Sequence, residues 1–387
     1  MQCTERSKAT TLNSRIDRIF TYFKLLDPTN ASILKAVGEL GARNITLIAK
    51  RTHLPVTTVR FRLERMKKAG QVLVVANLNL QKLGLAKAFM VADSYLGHQD
   101  RLFETIRNTA YWTYIIRCYG KHDGFCSYFA FPASHMKALE EYIQEAENLE
   151  AFSNSRFFWS TNTRLIPPNF SWYDFNERAW NFDWQQWTSD VLNGNNDLPE
   201  PIKESADYGV AVDKKDLLIL KELEKDETIG FNNLAKIVGI SPQSVGSRYS
   251  EHILKRSLIV DYDVDVYPYP LEIADFYLFK IDFVNSHCLG KFANACEGRP
   301  FVLSYSKIIG KTALIANVYI LRKEFPNLIK CLNDLFVQGF ITNFFYVTLE
   351  VSSFRRQTIS YEYFDNGRWL YDASERTEKL RRICETR

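Results

Sequence analysis

Residues 57–68 read TTVRFRLERMKK, and residues 243–254 read QSVGSRYSEHIL. Both stretches place apolar side chains at the same helical positions, which predicts that each packs one face against a core. They differ in charge. The first holds five basic residues and one acidic residue, whereas the second holds one of each besides a histidine. Folding does not require this basic excess, so it indicates a binding role for the first stretch.

The similarity between the two halves extends along most of the chain. Three pairs of segments align in the same order: 27–75 with 213–261, 113–121 with 303–311, and 171–183 with 360–372. The offset stays between 186 and 190 residues. Three ordered matches at nearly one offset predict a tandem duplication of one unit. The alternative is a pair of unrelated α/β domains.

Each unit has the same predicted order of elements. Its first third reads as three helices followed by a strand, the pattern of a winged helix-turn-helix. The remainder reads as βαββαβ, with hairpins at GKHDG (120–124) and GKT (310–312), which is typical of a ferredoxin-like domain. We therefore expect an α+β fold in which two winged helix-turn-helix domains alternate with two ferredoxin-like domains.

The domain boundaries follow from these patterns and from NGNNDLPEP, a run rich in linker residues. The predicted segments are an N-terminal extension (1–20), a first winged helix-turn-helix (21–85), a first ferredoxin-like domain with an aromatic tail (86–187), a linker (188–211), a second winged helix-turn-helix (212–270), a second ferredoxin-like domain with an aromatic tail (271–372) and a charged C-terminal tail (373–387).

Composition limits the class of protein. The chain has 387 residues, 46% of them hydrophobic, and a formal net charge of +4, which permits a nucleic-acid partner without requiring one. The seven cysteines form no CxxC pair, a pattern more typical of reduced thiols than of a zinc site or a disulfide framework. Neither a secretory signal nor an apolar run of about 18 residues is found. We expect a cytoplasmic protein with no membrane partner, no metal and no cofactor.

A winged helix-turn-helix followed by a βαββαβ domain resembles the Lrp/AsnC (feast/famine) transcription regulators. The residues that carry this resemblance are Asp213, Ile219-Leu220, Leu234-Ala235, Gly239-Ile240-Ser241 and Arg248, together with the matching series from Asp27 to Arg62. Because the family forms dimers through its α/β domains, the resemblance implies an intramolecular pseudo-dimer or a homo-oligomer.

The same resemblance implies a small-molecule effector near the first hairpin, at Gly120, His122 and Asp123. The second copy departs from the family pattern there, because it reads Gly310-Lys311-Thr312-Ala313. Each unit also carries an aromatic segment beyond the usual end of the family's domain.

The third helix of the first unit is the predicted DNA reader. Val59, Leu63 and Met66 face the core, so the basic residues lie beside the outward face that would enter a major groove. Window 50–68 carries a net charge of +6, and window 236–254 carries +1. The predicted DNA-binding residues are Thr57, Thr58, Arg60, Arg62, Arg65, Lys67 and Lys68, with Gln243, Ser244, Ser247 and Arg248 in the second unit.

Some of these side chains could have roles other than DNA binding. The basic flank could be an ordinary solvated face. Arg62 and Arg248 could hold phosphates or brace the fold through a carboxylate. Phe61 could contact a thymine methyl, although we expect it to be buried against RIFTYF (18–23).

No catalytic constellation is evident, because the six histidines are scattered and neither a Walker loop nor a GxSxG elbow occurs. His122 and Asp123 are expected on the surface of a turn. The tryptophans of the aromatic tails could line a ligand pocket or stack on bases, but we expect them to join sheets or subunits; they are Trp172, Trp180, Trp184, Trp187 and Trp369.

The sequence therefore predicts an archaeal-type transcription regulator that binds double-stranded DNA in a sequence-specific manner and is not an enzyme. Two alternatives remain open. Siroheme decarboxylases resemble the same regulators and act as heterodimers on this scaffold, so a fused pair is compatible with a tetrapyrrole enzyme. A winged-helix module that binds other proteins is the second alternative.

Overall fold

Three short helices open the first unit of the chain. The computed structural model describes residues 26–68, 72–266 and 268–385, so the predicted extension (1–20) and RIFTYF lie outside the described residues. The helices are α1 (Pro28–Leu40), α2 (Ile45–Thr52) and α3 (Val56–Lys68). The Asp27 side chain caps α1 by accepting from the Asn30 amide at 2.7 Å. The predicted core residues of α3, Val59, Leu63 and Met66, are buried.

The second unit opens in the same way, with one difference in its third helix. Helices α7 (Lys214–Leu223) and α8 (Phe231–Val238) precede α9 (Pro242–Ser247), and the Ser241 side chain caps α9. The sequence predicts one helix here, but α9 continues as π-helical turns over Arg248–Leu254.

The strand that follows each third helix pairs with its counterpart from the other unit. Strands β1 (Leu73–Leu78) and β9 (Ile259–Asp265) form an antiparallel two-stranded sheet, here called the hinge ribbon. Ala76 lies opposite Tyr262, and these positions differ by the repeat offset of 186. Each strand predicted after a third helix therefore pairs with the equivalent strand of the other unit, because a single strand would leave its backbone groups unpaired.

The remainder of each unit is a four-stranded antiparallel sheet with two helices. The elements of the first unit are β2 (Leu85–Asp93), α4 (Gln99–Asn108), β3 (Trp112–Gly120), β4 (Gly124–Pro132), α5 (Met136–Asn148) and β5 (Asn154–Ser160). Those of the second unit are β10 (Ala274–Phe283), α10 (Ser286–Cys296), β11 (Val302–Lys307), β12 (Ala313–Leu321), α11 (Phe325–Val337) and β13 (Ile341–Arg356). The strand orders 5-2-4-3 and 13-10-12-11 are the ferredoxin-like arrangement. The predicted α+β class and the alternation of the two domain types are confirmed.

The two sheets join into one closed sheet. At one junction β3 pairs with β13, so that Gly120 lies opposite Val347. At the other junction the end of β5 meets the end of β11, where Ser160 bridges Ile308. The closed sheet has an interior lined by a cluster of apolar side chains from both units: Phe89, Val91, Ile116, Cys118, Cys126, Leu278, Ile308, Ala313, Ile315, Phe345 and Val347.

The aromatic tails are exchanged between the units. The first tail consists of β6 (Arg164–Leu165), β7 (Tyr173–Asp174), β8 (Ala179–Trp180) and α6 (Trp184–Asn193). It packs on the second unit, where the rings of Trp172, Trp184 and Trp187 surround Phe301 at 5.0–5.8 Å.

The second tail packs on the first unit. It consists of β14 (Phe364–Asp365), β15 (Arg368–Trp369) and α12 (Ala373–Glu385). The rings of Tyr363, Trp369 and Tyr371 surround Tyr111 at 5.6–6.2 Å. The tails therefore join the two units, as expected for the tryptophans.

Two predicted boundaries do not match the elements. The boundary at 187/188 falls inside α6, whose Trp187 and Val191 are buried in the core of the second unit. The predicted charged tail at 373–387 is helix α12 over most of its length, and its Leu380 is buried against the first unit. None of the helices in the described ranges is long and apolar enough to span a membrane.

The two helix-turn-helix domains also contact each other directly. The Arg43 guanidinium donates to the Ile229 carbonyl at 2.6 Å and lies 3.3 Å from the Glu227 carboxylate. The Ala42 amide donates to the same carboxylate at 3.1 Å. Burial raises the pKa of Glu227 to about 7, although the neighbouring Arg43 opposes this shift.

We expect the two halves to stay together after the chain is cut. A protease site inserted between the exposed residues Ala206 and Asp207 should give two fragments that co-elute in gel filtration, because they share the hinge ribbon, the closed sheet and both tails. They should separate only in denaturant. Separation in native buffer, with uncut protein as the control, would contradict this packing.

We expect Glu227 to make stability depend on pH. Its carboxylate is disfavoured in the folded state, so the protein should lose stability as pH rises from 5 to 8, by up to about 3 kcal/mol for a shift of this size. Glu227→Gln should remove that component. Denaturant unfolding at pH 5 and pH 8 measures the free energy of unfolding of both proteins. If this free energy changes with pH by the same amount in the variant as in the unsubstituted protein, Glu227 is not its source.

Candidate functional site

Helix α3 presents its free basic side chains to solvent. Arg60, Arg65 and Lys68 are exposed, and within the described part of the chain their side chains make no ion pair or hydrogen bond. Thr57 is exposed beside them, and Thr58 is half-buried. Phe61 was expected to be buried, but 65% of it is exposed. Among the residues that the structure describes, none covers this face of α3, and its three cations have no ion-pair partner there.

Three other predicted DNA-binding residues are engaged within the protein. The Arg62 guanidinium contacts Asp27 at 2.5 Å, and Lys67 donates to the Thr228 hydroxyl of the second unit. Arg248 forms ion pairs with Asp213 and Asp216 at 2.8 and 2.7 Å. Arg62 and Arg248 therefore brace the first helix of their domains, which is the second of the two readings that the sequence allowed.

The third helix of the second unit is exposed but carries little charge. Gln243, Ser244 and Ser247 all lie at the surface. Their hydroxyl and amide groups could meet base edges or phosphates, but they supply no cation.

A second polar site lies inside the closed sheet, at the end where the two hairpins turn. We call this region the hairpin end. It contains the hairpin of residues 120–124 from the first unit and that of residues 307–313 from the second. Of the predicted effector residues, Gly120 adopts a positive φ of 113° at the turn.

His122 is buried at the hairpin end, contrary to the expectation of a surface residue. Only 2% of it is exposed. Its Nδ1 lies 3.0 Å from an Asp93 oxygen, and its Nε2 has no hydrogen-bond partner among the residues described. Asp93 is held in place by the Asp123 amide at 2.8 Å and the Asn154 side chain at 3.0 Å. Because the Asp93 carboxylate accepts from Nδ1–H, Nε2 is the ring nitrogen that can contact a ligand.

Asp123 itself points away from this interior. Its carboxylate contacts Arg117 at 2.5 Å, and 69% of the side chain is exposed. The structure thus separates the predicted pair, since His122 is inside and Asp123 is outside.

Aromatic rings and cations surround His122. The Phe345 ring centre is 5.6 Å from the imidazole and 5.1 Å from the Arg156 guanidinium carbon. The Phe158 ring lies 5.1 Å from the Lys311 amine and 5.9 Å from the Lys280 amine. These contacts place two flat apolar faces between three cations.

Lys280 is the buried cation of this group. It is 7% exposed, it contacts the Asp282 carboxylate, and it lies beside Phe345 in the strand register. Lys311 is exposed and Arg156 is half-buried. The hairpin end therefore combines one histidine with a free nitrogen, three cations, two carboxylates and two phenyl rings. Such a site suits a flat, anionic ligand and can transfer a proton.

The sequence contained a signal for two of the residues that it did not single out. Lys280 and Asp282 interrupt the apolar alternation of DFYLFKIDFV (275–284), and a charge at an inward position of a strand is unusual. Arg156 and Asp93 carry no comparable mark, because Asp93 ends β2 and Arg156 lies near the start of β5, where charged residues are common.

Comparison with protein families and known proteins gave these results. An AsnC-type helix-turn-helix domain matches residues 212–251, which is the second of the two helix-turn-helix domains. No curated protein is similar in sequence.

Several solved structures are similar to this chain. A siroheme decarboxylase, NirDL, is 11% identical with a TM-score of 0.49, and the match covers 93% of this chain and 98% of that chain. Its complex with an iron-uroporphyrin III analogue is 11% identical, covers 96% and 98%, and has a TM-score of 0.47. A transcriptional regulator from Neisseria meningitidis, solved with L-Met, is 19% identical over 35% of this chain and 88% of that chain, with a TM-score of 0.28.

The prediction that the chain is not an enzyme is contradicted, because the matches that span nearly the whole chain are structures of an enzyme. The prediction of an Lrp/AsnC resemblance is confirmed. The chain carries an AsnC-type helix-turn-helix domain at residues 212–251, within an α+β architecture.

Proposed function

We propose that the chain is an enzyme that removes a carboxylate side arm from a tetrapyrrole, as a siroheme decarboxylase does. The observation that supports this most is His122, a buried imidazole with an Asp93 partner and with no described residue hydrogen-bonded to its Nε2. The substrate class follows from the surroundings. A tetrapyrrole such as siroheme is flat and carries several carboxylates, which matches rings flanked by Arg156, Lys280 and Lys311.

The roles of the side chains follow from their chemistry. The cations bind carboxylates of the substrate, and the phenyl rings contact its apolar face. When a side arm loses CO2, the C–C bond breaks and its electron pair stays on the remaining carbon. Protonated His122 gives the Nε2 proton to that carbon, and the Asp93 carboxylate stabilises the imidazolium before the transfer. Water then returns a proton to the His122 imidazole.

We expect titration of siroheme into the full-length protein to shift the Soret band and to release CO2. His122→Gln should lower turnover by about a hundredfold or more, since a general acid contributes at least that much, and it should leave the binding midpoint nearly unchanged. The absence of any spectral shift with the unsubstituted protein would refute the proposal.

The cations can be tested with a matched pair of substitutions. Lys311→Met should weaken siroheme binding roughly tenfold through loss of one charge-assisted contact. The control is Lys137→Met, because Lys137 is a solvent-exposed helix residue whose side chain is 87% exposed. If the two variants have the same midpoint for siroheme binding, the hairpin end is not the binding site.

We infer a second function, duplex DNA binding by helix α3. The supporting observation is that Arg60, Arg65 and Lys68 are exposed and free, while the AsnC-type domain supports a DNA-binding scaffold. Each phosphate contact adds affinity through counterion release.

We expect Arg60→Ala with Arg65→Ala to weaken binding of duplex DNA strongly and to reduce the log–log salt slope by about 2. The matched control is Gln243→Ala with Ser247→Ala on the second unit, which should have a much smaller effect. A gel-shift titration at several salt concentrations measures both pairs. Equal losses would contradict the asymmetry between the two helices.

A further inference from the structure

Phe61 lies on the outward face of helix α3, opposite the residues that form the core of its domain. Of the aromatic side chains in the described ranges it is the most exposed, at 65%. It lies outside the apolar cluster that contains Val59, Leu63 and Met66. With about 100° of rotation per residue, it points about 160° away from Val59 around the helix axis. The phenyl ring is therefore not part of the packing that holds this domain together.

The side chains around Phe61 are polar or cationic. Thr57, Arg65 and Lys68 lie within about 40° of it around the helix axis, and all three are exposed. Within the described part of the chain, Arg65 and Lys68 have no ion-pair or hydrogen-bond partner. Cations in this arrangement suit phosphates, whereas a phenyl ring forms no hydrogen bond with a phosphate or a base edge. The ring is thus an apolar contact at the centre of a face suited to nucleic acid.

The major groove of DNA offers one apolar group to such a ring. This group is the C5 methyl of thymine, and phenylalanine is one of the side chains that contact it. In a helix-turn-helix domain, the outward face of the recognition helix is the one that meets the base edges. The equivalent position of the second unit is Ser247, which has no apolar group. A contact with thymine is therefore available to the first unit and not to the second.

We propose that Phe61 determines sequence specificity by packing its ring against the C5 methyl of a thymine in the major groove. This inference rests on the proposed binding of duplex DNA by α3. The neighbouring cations bind phosphates and position the helix, and Phe61 distinguishes one base pair from the others. The first helix-turn-helix domain therefore favours an A·T pair at one position of its half-site, and the second domain lacks this preference.

The test compares thymine with uracil, because uracil lacks only the methyl group and keeps the hydrogen-bonding groups of the base. Duplexes that bind the full-length protein are selected from a random-sequence pool. The tightest-binding duplex is then prepared once with thymine and once with deoxyuridine in its place. Gel-shift titration at one salt concentration measures both dissociation constants. We expect the uracil duplex to bind about fourfold more weakly, as expected for loss of one buried methyl contact.

Substitutions at position 61 assign this difference to the ring. Phe61→Ser, which copies the second unit, should bind the two duplexes equally. Phe61→Leu should keep most of the difference, because leucine is also apolar. Both variants should keep the log–log salt slope of the unsubstituted protein, because Phe61 contacts no phosphate in this arrangement. The matched control is Ser247→Ala, which should leave the ratio of the two dissociation constants unchanged.

Each other result would overturn the inference in a distinguishable way. If the unsubstituted protein binds the thymine and uracil duplexes equally, Phe61 does not contact a methyl group, although DNA binding by α3 stands. If Phe61→Ser still binds the uracil duplex more weakly, another residue contacts the methyl group. If the protein binds no duplex of the pool, the proposed DNA binding fails and this inference fails with it.

Discussion

The antiparallel pairing of β1 with β9 is the interaction on which the rest of the molecule depends. Ala76 lies opposite Tyr262, and these two residues occupy equivalent positions in the two units. Such a contact lies on an approximate two-fold axis. Two further contacts obey the same rule, namely Arg43 with Ile229 and Tyr128 with Asn317. The axis therefore runs from the helix-turn-helix domains through the hinge ribbon into the closed sheet.

This symmetry explains why neither half of the chain has a complete core of its own. The strand edges of each ferredoxin-like sheet are paired with the other unit, which leaves no long edge exposed. The same exchange covers the aromatic residues Phe301 and Tyr111, each by the tail of the other unit. The two halves form a dimer within one chain. Whether this arrangement arose by duplication stays a prediction.

Departures from the symmetry create the polar sites. Asp93 and Asp282 differ by 189 residues and lie at the hairpin end of their strands, but their partners differ. Asp93 contacts His122, whereas Asp282 contacts Lys280. One half of the hairpin end thus holds a buried imidazole beside a carboxylate, and the other holds a buried lysine beside a carboxylate. The helix-turn-helix domains diverge similarly, since α3 exposes cations at its surface while Gln243 and Ser247 occupy the surface of the second unit.

The sequence by itself determined the elements and their order, because apolar periodicity, caps and turns act within a few residues of one another. It identified Val59, Leu63 and Met66 as core residues and the two hairpins as turns. Only the tertiary structure decided which charges are free and which groups meet. Arg62 and Lys67 look equivalent to Arg60 and Arg65 on a helix, and only the folded chain brings Asp27 and Thr228 to them. The sequence places His122 in a turn, but in the structure residues of the second unit such as Phe345 cover its ring. Burial and pairing of a side chain depend on contacts between residues far apart in the chain, which local patterns do not encode.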